Sequence, residues 1–220
     1  MPRLAFEHVR IGLGARHLID LHTTVEPGQT LTLMGPSGSG KSTLLDFLCG
    51  TLAPAFSAEG RVLLDGTDIT SLPPERRQLG ILFQDALLFP HLSVAGNLLV
   101  ALPSRRGGGA ERRAKVAAAL AEAGLEGFGG RDPATLSGGQ QARVALMRTL
   151  LADPRALLLD EPFSKLDATL RQRIRSFVFA EIARYGLPAI LVTHDPEDAA
   201  AAGGPVHHLA AHMPDATASP

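Results

Sequence analysis

The chain has 220 residues, 45% of them hydrophobic, and a formal net charge of −1 from 21 Lys and Arg against 22 Asp and Glu. That length and apolar content suit one compact domain, or one domain carrying a subdomain, and exclude disorder except at the ends. Near neutrality supplies no basic face for wrapping nucleic acid, so no nucleic-acid partner is expected. A single cysteine, Cys49, excludes an internal disulfide and a cysteine-based zinc site, and points to a reducing compartment.

Residues 1–8 are too polar and interrupted for a signal peptide, and the apolar runs fall far short of the roughly 18 to 20 residues that cross a bilayer. Membrane association is therefore expected only through a partner. In chain order, the residues around Phe6 to Ile11 and the segment 61–64, which enters a turn at Asp65-Gly66, are expected as antiparallel strands beside a main sheet. Residues 31–34 form a short apolar run, a glycine-rich segment follows, and residues 41–49 are expected as a helix closed by Gly50. After an expected strand over 79–83 the pattern turns helical. One helix runs from the N-cap Ser93 to about 101, one from 110 to 123 stopped by Gly124, and one from just after Ser137 to about 152. Residues 104–109 are expected as a mobile loop between the first two.

The order strand, helix, strand then resumes over 156–159, a helix with Leu170, Ile174, Phe177, Val178 and Ile182 at helical spacing, and 189–193. Strands alternating with helices imply an α/β fold with a largely parallel sheet. Residues 211–220 lack periodicity and are expected to be poorly ordered.

Gly35-Pro36-Ser37-Gly38-Ser39-Gly40-Lys41-Ser42 matches G-x-x-x-x-G-K-[ST] between an expected strand and an expected helix. Its glycines let backbone N–H groups close on phosphate oxygens, Lys41 supplies a positive charge to the β- and γ-phosphates, and the Ser42 hydroxyl suits Mg²⁺. Leu157-Leu158-Leu159-Asp160-Glu161-Pro162 is an apolar strand ending in two adjacent carboxylates. Asp160 would hold the metal, and Glu161 would orient and deprotonate an attacking water, which argues against a simple phosphate-transferring kinase. Ser137 opens an expected helix, where free N–H groups and the helix dipole favour an anion, and Gly138 and Gly139 allow close backbone approach.

The run Leu136-Ser137-Gly138-Gly139-Gln140, read with the phosphate loop, resembles the signature of the ATP-binding cassette (ABC) family, and the resemblance covers almost the whole chain. It implies a P-loop NTPase (RecA-like) core at 1–83 and 153–210, with an antiparallel β subdomain and an inserted helical subdomain at about 84–152. It also implies ATP and Mg²⁺ as cofactors. By this resemblance Thr43 bonds the α-phosphate, Gln84 senses Mg²⁺ and the γ-phosphate, and His194 holds Glu161 and the water in line. Ser137 to Gln140 would contact the γ-phosphate of ATP held by the P-loop of a second copy, making a head-to-tail homodimer, and Asp167 would belong to the loop that crosses the interface.

Three features resemble importer ATPases: Phe83-Gln84-Asp85 followed by Leu87-Leu88-Phe89-Pro90-His91, the run Glu161-Pro162-Phe163-Ser164, and the absence of a fused membrane domain. The resemblance implies a peripheral subunit on the cytoplasmic face of the bacterial inner membrane. Its partners would be integral-membrane permease subunits and, indirectly, a substrate-binding protein. A soluble ABC ATPase of translation or DNA repair, or an efflux ATPase, are the alternatives. Leu13 stands where the family usually carries an aromatic residue against adenine, so weaker adenine binding and low base selectivity are expected. Lys165 replaces a customary small residue beside Asp167, putting a positive charge near the dimer seam, and after Glu197 the customary strand hairpin and regulatory domain are missing. The remaining histidines, His207 and His208 among them, read as surface or core residues.

Overall fold

The computed structural model describes residues 1–103 and 108–209, so most of the 104–109 loop and the 211–220 tail lie outside the described residues. Two sheets organise the chain. Strands β1 (Leu4–Leu13), β2 (Arg16–Val25), β4 (Phe56–Leu64) and β5 (Thr67–Asp68) form an antiparallel sheet in the order β2-β1-β4-β5. Strands β3 (Thr30–Met34), β6 (Leu79–Leu82), β7 (Ala156–Asp160), β8 (Ala189–Thr193) and β9 (Val206–His208) form a parallel sheet in the order β6-β7-β8-β3-β9.

The parallel sheet is apolar on both faces, which is why its strands read as unbroken hydrophobic runs. Along β7, Leu157 and Leu159 enter one core with the helices α2 (Val94–Ala101), α4 (Gly138–Leu151) and α5 (Ala168–Tyr185). Ala156 and Leu158 enter the other, which packs helix α1 (Lys41–Cys49) and the inward residues of the antiparallel sheet. Helix α3 (Gly109–Glu122) adds Val116, Ala119 and Leu120 to the first core. Helix α6 (Pro196–Ala202) follows β8.

Helix α1 ends at Gly50, whose left-handed φ of 77° lets its N–H reach the carbonyls of Asp46 and Phe47. The buried Arg77 guanidinium then donates to the carbonyls of Phe47 and Leu48, at 2.7 and 2.8 Å, and to those of Leu72 and Thr70. A Cβ on Gly50 would meet that guanidinium at 2.8 Å. Burial holds the Arg77 pKa below its ordinary value. On the same helix, burial above all, with Asp46 beside it, pushes the Cys49 thiol up to about 11.

Three elements depart from the sequence expectations. Strand β2 alternates inward Ile19 and Leu21 with outward polar residues, a pattern diluted by two histidines and an aspartate. Helix α6 is a short one, capped by the Asp195 side chain accepting from Glu197 N–H. Where no terminal strand was expected, β9 pairs in parallel with β3, with exposed His208 on it, and buried Leu209 donates its N–H to Met34 O at 2.7 Å.

Candidate functional site

Strand β3 delivers the chain into the loop 35–40 beside β8, and α1 begins at once. Gly38 and Gly40 have φ values of 78° and 94°, a left-handed backbone of the kind that gathers N–H groups into an anion-binding concavity. Lys41 is buried, and its ammonium donates to the carbonyls of Gly35 and Pro36, each at 2.7 Å. The Ser39 hydroxyl is buried and has no hydrogen-bond partner, and a Cβ on Gly35 would approach it to 2.6 Å. The loop therefore encloses a polar atom and a positive charge in a space only glycine leaves open. Ser37, Gly38, Lys41, Ser42 and Thr43 line a cavity of about 400 Å³, and Glu161 lines the same cavity.

Asp160 ends β7 half-buried, its carboxyl pKa raised first by burial, then by Glu161 and Asp46, and tempered by Lys41. A half-buried carboxylate with a second acidic residue beside it is a donor that a divalent cation neutralises, so Asp160 with the exposed Ser42 hydroxyl fits Mg²⁺. Glu161 adopts a φ of 44°, a costly conformation for a residue with a side chain. It is held there by its N–H on Val192 O at 3.0 Å and by Ser164, whose N–H and hydroxyl both donate to its carbonyl. The parallel register Asp160↔Val192 sets the ends of β7 and β8 side by side, and His194 Nδ1 lies 3.2 Å from Glu161 Oε2.

Ser137, Gly138, Gly139, Gln140, Gln84 and Asp167 are not among the residues lining that cavity. Ser137 and Gln140 form a capping box at the start of α4: Ser137 Oγ accepts from Gln140 N–H, and Gln140 Oε1 accepts from Ser137 N–H at 2.9 Å. Gly139 is turned inward, where a Cβ would stand 2.4 Å from Leu170 Cδ1 on α5. Its bare backbone thus serves packing within the chain, and Gly138 is the exposed one of the pair. Gln84 and Gly138 line a separate cavity of about 140 Å³ together with Lys165. Lys165 pairs there with Asp85, so the charge expected near a dimer seam is engaged within its own chain. Both partners are more than half exposed, which limits the pair to about 1 kcal/mol at most. Asp167 caps α5, accepting from Leu170 N–H at 3.0 Å.

The sequence reading missed Phe56. The antiparallel register Leu13↔Phe56 stands an aromatic ring directly across from Leu13, and both residues line the P-loop cavity. No periodic run surrounds Phe56, so only the pairing of β4 with β1 reveals it.

The chain matches the family model described as ABC transporter over residues 18–164. The chain belongs to the ABC transporter family. As a member, it is an ATP-binding subunit whose ATP hydrolysis is coupled to transport. Among ABC transporter relatives it is 54% identical over 184 residues to the uncharacterized ABC transporter ATP-binding protein YnjD of Escherichia coli (strain K12), covering 84% of each chain. It is 44% identical over 196 residues to the thiamine import ATP-binding protein ThiQ of Jannaschia sp. (strain CCS1), covering 89% of this chain and 84% of that one. It is 46% identical over 199 residues to the Fe(3+) ions import ATP-binding protein FbpC of Agrobacterium fabrum, covering 90% of this chain but 56% of that one. The chain thus spans about half the length of the iron-import relatives.

Proposed function

We propose that this ABC ATPase powers solute import as a homodimer on the cytoplasmic face of a bacterial inner membrane, beneath separate permease subunits that receive solute from a binding protein. The observation that carries the catalytic part is the pairing of His194 with Glu161, which lines the same cavity as Lys41. Glu161 acts as base toward a water, His194 holds the carboxylate in line, Lys41 binds the β- and γ-phosphates, and Thr43 the α-phosphate. Ser42, Asp160 and Gln84 would hold Mg²⁺, which neutralises charge on the phosphate oxygens. The separation of the signature residues from this cavity supports a shared site. Ser137, exposed at the N-terminus of a 14-residue helix, is suited to the γ-phosphate of ATP bound by a second copy. Asp167 would lie at that seam.

Import is supported by the relatives named for iron and thiamine import. A docking surface for the permease is supported by exposed Leu87 and Phe89, which the structure braces. Arg148 donates to the carbonyls of Leu87 and Ala86, and buried Asn97 accepts from Phe89 N–H at 2.7 Å and donates to its carbonyl. A mainly apolar cavity of about 620 Å³, lined by Ala95, Leu99, Val116 and Leu120, lies between α2 and α3. Among the described residues no helix is long and apolar enough to cross a membrane.

Glu161→Gln tests the shared, hydrolytic site. Loss of the base should lower turnover by about 10²- to 10⁴-fold while calorimetry still reads ATP binding. Light scattering should then show an ATP-dependent dimer, because ATP favours the state in which it makes the most contacts. A monomer with ATP bound would contradict the dimer, and undiminished turnover would contradict the base.

A further inference from the structure

The first turn of α5 touches three parts of the site at once. Leu170 packs where a Cβ of Gly139 would be, against the signature helix. Arg171 follows, with its guanidinium split between two acceptors: Nη1 on Asp195 Oδ2 at 2.9 Å, and Nη2 on the carbonyl of Leu166 at 3.1 Å. Leu166 immediately precedes Asp167, and Asp195 immediately follows His194. On the other side of His194, Thr193 accepts from Asp195 N–H and donates its hydroxyl to Asp198 at 2.8 Å. Asp198 is in turn paired at 2.9 Å with Arg175, one helical turn beyond Arg171 on α5. Both neighbours of His194 are therefore tied to α5 through charged groups.

Partly buried ion pairs are poor stabilisers, since desolvation offsets most of the attraction. What the planar guanidinium does supply is geometry, because its donors leave the group at fixed angles and serve two acceptors at once. We infer that Arg171 is a positioning residue for hydrolysis, fixing His194 and the 166–167 segment in one mutual register. It works through Asp195 on the histidine and through the Leu166 carbonyl on the segment that would face a second copy. This inference rests on the roles proposed for Glu161 and His194.

The test compares Arg171→Met, Arg171→Lys and Asp195→Asn in the full chain, reading kcat and KM for ATP, calorimetric ATP affinity and melting temperature, with Glu161→Gln as reference. Arg171→Met should lower kcat about tenfold or more, as small misplacements of reacting groups do, and leave ATP affinity within about threefold. Arg171→Lys should recover only part, since an ammonium lacks the fork. Asp195→Asn should lose a similar factor, and the double variant Arg171→Met/Asp195→Asn should be no slower than the worse single one, because the two residues act as a unit. Unchanged kcat in Arg171→Met or Asp195→Asn would overturn the inference. So would multiplicative losses in the double variant, or a kcat loss matched by equal losses of affinity and melting temperature. If Arg171→Met does not fold, Arg171→Lys and Asp195→Asn carry the same comparison. An inactive Glu161→Gln beside a fully active Arg171→Met would sink the positioning role alone; an active Glu161→Gln would sink the hydrolytic reading and this inference together.

Discussion

Phe56 changes what the cavity can offer a nucleobase. Leu13 presents no ring, but its cross-strand partner does, and a base–aromatic stack is worth roughly 1–3 kcal/mol. Phe56→Ala should therefore raise the ATP dissociation constant roughly 5- to 150-fold in a calorimetric titration, while Leu13→Ala should change it little. Parent-like affinity in Phe56→Ala would remove the ring from the binding account. Every base has a π-face, so stacking alone does not discriminate, and similar affinities for ATP and GTP remain the expectation for the parent chain. The contrast with the catalytic residues shows what a sequence discloses. Lys41, Ser42, Asp160 and Glu161 are legible because their chemistry is compressed into two short runs, each at the end of an apolar strand. Phe56 is invisible there because its meaning depends on a register between strands far apart in the chain, and the inward turn of Gly139 on Leu170 is hidden for the same reason.

Helix α1 carries Lys41 at one end and is finished at the other by Arg77, which also gathers the segment after β5 and the turn before β6. Among the described residues its hydrogen-bond partners are four carbonyls and no carboxylate, and the negative end of the helix dipole adds to their hold. Arg77→Met keeps some volume but strands those carbonyls, and each buried unsatisfied group costs about 1–3 kcal/mol. A loss of about 3 kcal/mol or more is expected, seen as a fall of roughly 6–12 °C in a thermal melt. A melt within a degree of the parent would show that water replaces the guanidinium freely. Elements closed by local signals were readable in advance. Ser93 and Gly50 mark their helix ends because a hydroxyl cap and a left-handed glycine act on neighbouring backbone. Strand β9 has no such signal: its three residues are extended only because β3 offers an open edge.

At the scale of the molecule, Ser137, exposed at the start of α4, stands outside the cavity that Lys41 and Glu161 line, and that separation predicts a contact between copies. Exposed Ser37 in the phosphate loop and exposed Thr135 before the signature provide positions to capture it. In a Glu161→Gln background, a mixture of Ser37→Cys and Thr135→Cys chains should join through a short thiol-reactive linker with ATP present and stay separate without it. Linkage that ignores ATP, or none at all, would speak against the head-to-tail arrangement. Cys49 makes such a measurement clean. Burial pushes its thiol up to about 11, which makes it a poorer nucleophile toward the reagent at pH 7 than an exposed cysteine. The parent sequence is thus a favourable background for site-directed labelling, in which a newly added exposed cysteine should react ahead of the natural one.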